Sequence, residues 1–85
     1  MSYQVVLQPR ARREFGALPA NVMTRVALML DTMERDPRPS GTKKLSNRPL
    51  WRVRVGAFRI IYSIADAQEL IVVERIARRN EHTYD

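Results

Sequence analysis

Apolar residues recur at every second position, then at every third or fourth, then at every second again. That change of period divides the 85 residues into a strand, two helices and a run of strands. Residues 2–8 alternate, with Tyr3, Val5 and Leu7 on one side and Gln4, Val6 and Gln8 on the other, and predict a strand. Pro9 ends that pairing and suits a first helical position, and Ala11, Phe15 and Leu18 mark the stripe of a short helix weakened at its end by Gly16. Beyond Pro19, the spacing of Val22, Val26, Met29 or Leu30, and Met33 predicts a longer helix, with Arg25, Asp31, Thr32 and Arg35 off the stripe. Asp36-Pro37-Arg38-Pro39-Ser40-Gly41 stops it, because a residue preceding proline is driven out of helical geometry.

Residues 42–49 are polar and basic, with Leu45 their only strongly apolar member, and read as a loop or a short edge strand. Residues 51–65 form two alternating runs around Gly56-Ala57. Glycine first in a two-residue loop suits a type II′ hairpin turn, and that loop length sets the register. Val55 then faces Phe58, Val53 faces Ile60 and Trp51 faces Tyr62, all on one side. The other side carries Arg52 and Arg54 on the first strand and Arg59 on the second, with Arg54 across from Arg59. A slip of one residue would bury these arginines, so the register is strongly specified. Residues 69–77 are more continuously apolar and predict a last, central strand, followed by a polar tail that contains Tyr84.

These pieces imply one α+β domain over residues 1–85, a small, mostly antiparallel sheet in the order β-α-α-β-β-β. Both helices are expected on the Trp51, Val53 and Ile60 side. Two helices cannot cover both faces, so an open concave face lined by Arg52, Arg54 and Arg59 is expected.

Charge sharpens that picture. The net charge is +6, and residues 37–65 hold seven basic and no acidic side chains, against five basic and four acidic in residues 1–36. A cationic block of this kind attracts polyanions through counterion release, which points to nucleic acid or an acidic protein segment. A membrane fits poorly, since no long apolar run exists and the basic residues interleave with strand-type residues. The absence of cysteine removes disulfide and thiolate chemistry, and a single histidine makes a poor zinc site, so no metal or cofactor is expected. The opening residues carry no apolar signal core, and the chain reads as cytoplasmic.

Like charges directly opposite on a sheet cost roughly 0.2–1 kcal/mol, so Arg54 facing Arg59 argues for an anion between them. The competing reading is that strand arginines serve solubility and discourage edge pairing. Three on one face, with no acidic residue in the same block, favour a ligand, and the planar guanidinium matches phosphate geometry.

Trp51-Arg52-Val53-Arg54-Val55-Gly56, then Phe58-Arg59-Ile60-Ile61-Tyr62, then Arg78-Arg79 followed by Tyr84, resembles the signature of the RelE/ParE toxin superfamily. Asp36-Pro37-Arg38-Pro39 and Lys44-Leu45 fit the same pattern. The resemblance implies a toxin with a cognate, partly acidic, RelB-like antitoxin, and one of two activities. RelE-type members cut messenger RNA on the ribosome by attack of a ribose 2′-hydroxyl on the adjacent phosphate, whereas ParE-type members inhibit DNA gyrase without nuclease chemistry; a non-catalytic RNA-binding member of the fold is the remaining alternative. Arg59, Arg78 and Tyr84 match the RelE-type positions, which implies that Arg59 holds the scissile phosphate, Arg78 acts on the leaving oxygen and Tyr84 stacks on a base. Arg54 belongs to the same catalytic group in this reading, with Arg52, Lys43 and Lys44 gripping RNA. RelE has lysines where this chain has Arg52 and Arg54, and an arginine makes a poor general base. His82 or Glu81 is then an alternative proton acceptor, Arg79 competes with Arg78, and Tyr84 has the alternative of covering the core edge.

Overall fold

Two prolines set where the helices begin. Pro9, with no N–H to leave unsatisfied, occupies the first turn of helix α1 (Pro9–Gly16), and Pro19 precedes helix α2 (Ala20–Arg35), which ends where Asp36 turns extended before Pro37. In the computed structural model, which describes residues 2–80, these helices follow strand β1 (Gln4–Leu7) and precede β2 (Lys43–Lys44), β3 (Trp51–Val55), β4 (Phe58–Ala65), a 3₁₀ turn and β5 (Leu70–Arg78). The α+β class and element order agree with the sequence reading, and the segment before β3 forms a two-residue edge strand.

The sheet runs β1-β5-β4-β3-β2, and every neighbouring pair is antiparallel except β1 with β5. The β3–β4 register is the one the loop length demands: Trp51 lies across from Tyr62, Val53 from Ile60, Arg54 from Arg59 and Val55 from Phe58. Gly56 alone of the two loop residues takes a positive φ, 59°, as a type II′ turn requires.

Apolar residues on one side of β3, β4 and β5 meet the helical stripes to form the core. Val26 and Met33 of α2 and Ala11 of α1 are sealed against Val53, Ile60, Tyr62, Ile71 and Val73. Tyr62 takes its hydroxyl into this core yet leaves it satisfied, because the hydroxyl donates to the Pro37 carbonyl at 2.9 Å and meets the Thr42 hydroxyl at 3.3 Å. That bond ties the hairpin to the segment leaving α2. Burial, the larger influence, pushes the Tyr62 phenol above its ordinary pKa.

Two charged contacts close the edges of this arrangement. β1 pairs with β5 only from Leu70 to Val73, and α1 lies along β5 beyond that point. There the Glu14 carboxylate accepts from the Ile76 backbone N–H at 2.8 Å and from Nε and Nη2 of Arg75 at 2.9 and 2.8 Å. A single side chain therefore satisfies both a strand-edge donor and a buried guanidinium. On the surface, Asp66 accepts from the Arg38 guanidinium at 2.9 Å and from the Tyr3 hydroxyl at 2.6 Å, while Arg38 also stacks over Trp51.

Removing Glu14 takes this counter-charge from the buried Arg75, so Glu14→Ala should lower unfolding free energy by about 3 kcal/mol in a urea titration. For Asp66, donation by Arg38 and then by Tyr3 depresses the carboxyl pKa. A depressed folded pKa means that the contact is fully present above the ordinary aspartate range and is lost as pH falls through the folded value. Carboxyl chemical shifts should place the Asp66 midpoint below that range, and Arg38→Ala should raise it.

Candidate nucleic-acid interface

Strand alternation turns Arg52, Arg54 and Arg59 away from the helices, and the cross-strand pairing arranges that face in two rows. One row runs Lys43, Arg52, Ile61, Arg75; the next runs Arg54, Arg59, Ala77. Arg54 is exposed, whereas Arg52 and Arg59 are half-buried and the Nε of Arg59 is sealed from solvent. Ile61 and Ala77 are buried on this side as well, so the expected open arginine face is narrower than alternation alone suggests. Its exposed cationic side chains are Arg54 near the Gly56 end and Lys43 on the edge strand.

A β-bulge decides which late arginine joins that end. Ile61 pairs with Arg75 but Tyr62 pairs with Val73, so Glu74 is the extra residue. Simple alternation from Val73 would turn Arg78 to the side of Arg59. With one residue inserted, Arg78 instead lies across from Phe58, its guanidinium 4.9 Å from that ring centroid, on the side facing α1 and the start of α2. Arg79 continues the ladder by donating its backbone N–H to the Ala57 carbonyl at 2.8 Å, with the parity of Ala77 and Arg59. Its guanidinium reaches the Gly56 carbonyl at 3.4 Å. Arg54, Ala57, Arg78, Arg79 and Asn80 together line an open cleft of about 430 Å³.

Lys43 and Lys44 are exposed on β2, with Lys43 paired to Arg52 and the Lys44 ammonium 5.9 Å from the Trp51 ring centroid. Tyr84, His82 and Glu81 lie outside the described residues.

Sequence reading passed over two arginines. Arg75 belongs to the same face by register, but Glu14 neutralises it. Arg25, on the outer side of α2, reaches the hairpin turn so closely that a Cβ on Gly56 would stand 2.9 Å from its Nη1. No periodicity marks it, because a helix's polar side carries arginines for many reasons. A larger depression, about 520 Å³, lies elsewhere, among Pro49, Leu50, Ala65, Leu70 and Val72. Its walls are mostly apolar and gather no group of like charges. No cluster of acidic or histidine side chains suited to a metal ion occurs among the described residues.

A family model described as ParE toxin of type II toxin-antitoxin system, parDE, matches residues 5–83. The chain belongs to the RelE/ParE toxin family. This RelE/ParE chain is 25% identical to a protein assigned as toxin RelE1 in Methanocaldococcus jannaschii, over 93% of its own length and 92% of the relative's. Its fold superposes on the archaeal RelE-RelB complex from Pyrococcus horikoshii with a TM-score of 0.85, at 25% identity, covering 95% of this chain and 99% of that one. It matches the RelBE2 toxin-antitoxin complex from Mycobacterium tuberculosis with a TM-score of 0.82, at 26% identity, covering 93% and 100% of the two chains. The toxin of a type II toxin-antitoxin pair is thus the general role of this RelE/ParE domain.

Gly56 is the position where the hairpin, Arg25 and Arg79 meet. Gly56→Ala forces a side chain into a left-handed turn and against the Arg25 guanidinium, so it should cost about 1–2 kcal/mol of stability in chemical denaturation.

Proposed function

We propose that this toxin is a ribosome-dependent endoribonuclease that cleaves messenger RNA. The observation that supports the reading best is the pairing of like charges at the hairpin end. Arg54 sits directly across from Arg59, and among the described residues no carboxylate lines the cleft that Arg54 shares with Arg78 and Arg79. A phosphodiester brings negative charge to that cleft, and guanidinium groups hold it bidentately.

In the proposed reaction the ribose 2′-oxygen forms a bond to the adjacent phosphorus and the bond to the 5′-oxygen breaks. The products are a 2′,3′-cyclic phosphate and a free 5′-hydroxyl. Arg59 and Arg54 stabilise charge that builds on the non-bridging oxygens, and donors fixed in this way usually supply most of the acceleration in such catalysis. Arg78 or Arg79 faces the leaving oxygen, and the register favours Arg79 because it shares the parity of Arg59. The 2′-hydroxyl proton passes to solvent, His82 or Glu81, and the departing 5′-oxygen takes a proton from water. Since a guanidinium stays charged at working pH, catalysis rests on positioning and electrostatics rather than on an arginine base. Tyr84 stacks on a base, and Lys43, Lys44 and Arg52 grip flanking phosphates. A RelB-like antitoxin is the expected neutralising partner, in keeping with the RelE-RelB complexes among the relatives.

The family model, built on ParE toxins, favours a second reading in which the chain inhibits DNA gyrase without cutting RNA. The two are separated by assay. With programmed ribosomes, mapped message ends should appear in the presence of wild-type protein and fall about 100- to 1000-fold with Arg59→Ala. Intact message together with reduced gyrase supercoiling would decide for the ParE-type activity.

A further inference from the structure

Arginines from three separate elements lie around one turn: the Arg25 guanidinium from α2 and the Arg79 guanidinium from just past β5 both reach Gly56, and Arg54 of β3 lines the depressions on either side. Arg25 and Arg54 line a shared groove of about 310 Å³ with Leu28, Met29, Thr32 and Val55, and the Arg79 guanidinium meets the Gly56 carbonyl. The groove and the neighbouring cleft contain no carboxylate among the described residues. Elsewhere the chain neutralises such groups, as Glu14 does for Arg75 and Asp66 for Arg38. Arg25 lacks an acidic partner one turn away on its own helix, where Asn21 and Met29 occupy the positions four residues before and after it. The Arg25 guanidinium packs directly over the turn, where a Cβ on Gly56 would stand 2.9 Å from its Nη1.

We infer that Arg25, with Arg54 and the Gly56 turn, forms a second phosphate subsite that holds the RNA backbone beside the phosphate at Arg59. The inference rests on the RNA-cleaving reading and adds to it a binding residue contributed by α2. Arg25 is a positioning residue in this scheme: it fixes the path of the strand over the hairpin tip and touches no reacting atom.

The test uses the full chain and a short single-stranded 2′-O-methyl oligoribonucleotide, whose blocked 2′-oxygen prevents cleavage. Arg25→Gln should weaken binding about fivefold and make the dependence of log K on log salt shallower by about 0.7, as loss of one single-strand phosphate contact requires. Arg35→Gln, an exposed arginine on the same helix, is the control. Ten residues put it about 15 Å along the axis from Arg25, beyond the Debye length of about 10 Å at 0.1 M salt, so its slope should hardly move. Arg25→Lys should restore the slope. Equal effects of Arg25→Gln and Arg35→Gln would overturn the inference, as would failure of the lysine variant to restore the slope, or no binding of the oligonucleotide at low salt. Melting temperatures of the three variants show whether each is folded. Intact message on programmed ribosomes, with the Arg25 slope effect still present, would remove the nuclease reading and leave the phosphate subsite standing.

Discussion

The register of β3 on β4 is the constraint on which the rest depends. A two-residue loop with glycine first leaves no freedom in how the strands align, and the alignment sends Trp51, Val53, Val55, Phe58, Ile60 and Tyr62 to one side. All of these but Trp51 are buried in the core, so a shift by one residue would exchange them for guanidinium groups. The same alignment fixes Arg54 across from Arg59. Core formation and the presentation of like charges are therefore one event, and the free energy of the first offsets the repulsion in the second.

The distribution of carboxylates then separates structural arginines from displayed ones. Arg75 and Arg38 each have an acidic partner, and each joins parts of the fold distant in sequence: α1 to the edge of β5, and the segment after α2 to the turn before β5. Arg54 has none among the described residues, and neither does Arg25. Among the described residues, the carboxylates of Glu14 and Asp66 pair with Arg75 and Arg38, and Arg25 and Arg54 at the hairpin tip have no such partner.

Much of this was legible from residue order. Both helices, the hairpin, its register and the outward arginines follow from periodicity and one turn, because the interactions that set them are local. The parts that were not legible depend on partners far away in the chain. Glu14 reads as an ordinary helical surface residue until α1 is laid along β5. Arg25 reads as solvated until α2 crosses behind the turn. The burial of Ile61 on the arginine side is likewise invisible to a two-sided alternation. Strand β1 offered no sign that it would pair in parallel with β5, since its partner follows more than sixty residues later.

The extra residue at Glu74 has an implication for how such chains compare with one another. It works as a half-pleat offset between the inner portion of β5 and its last turn, so the packing at Ile71 and Val73 is insulated from whatever follows. Counted by strict alternation from Val73, Arg78 and Arg79 would each fall on the side opposite to the one they occupy, so the offset and not the residue number decides which guanidinium each side shows. Column-by-column matching of terminal arginines between members is thus meaningful only after the offset in each has been located.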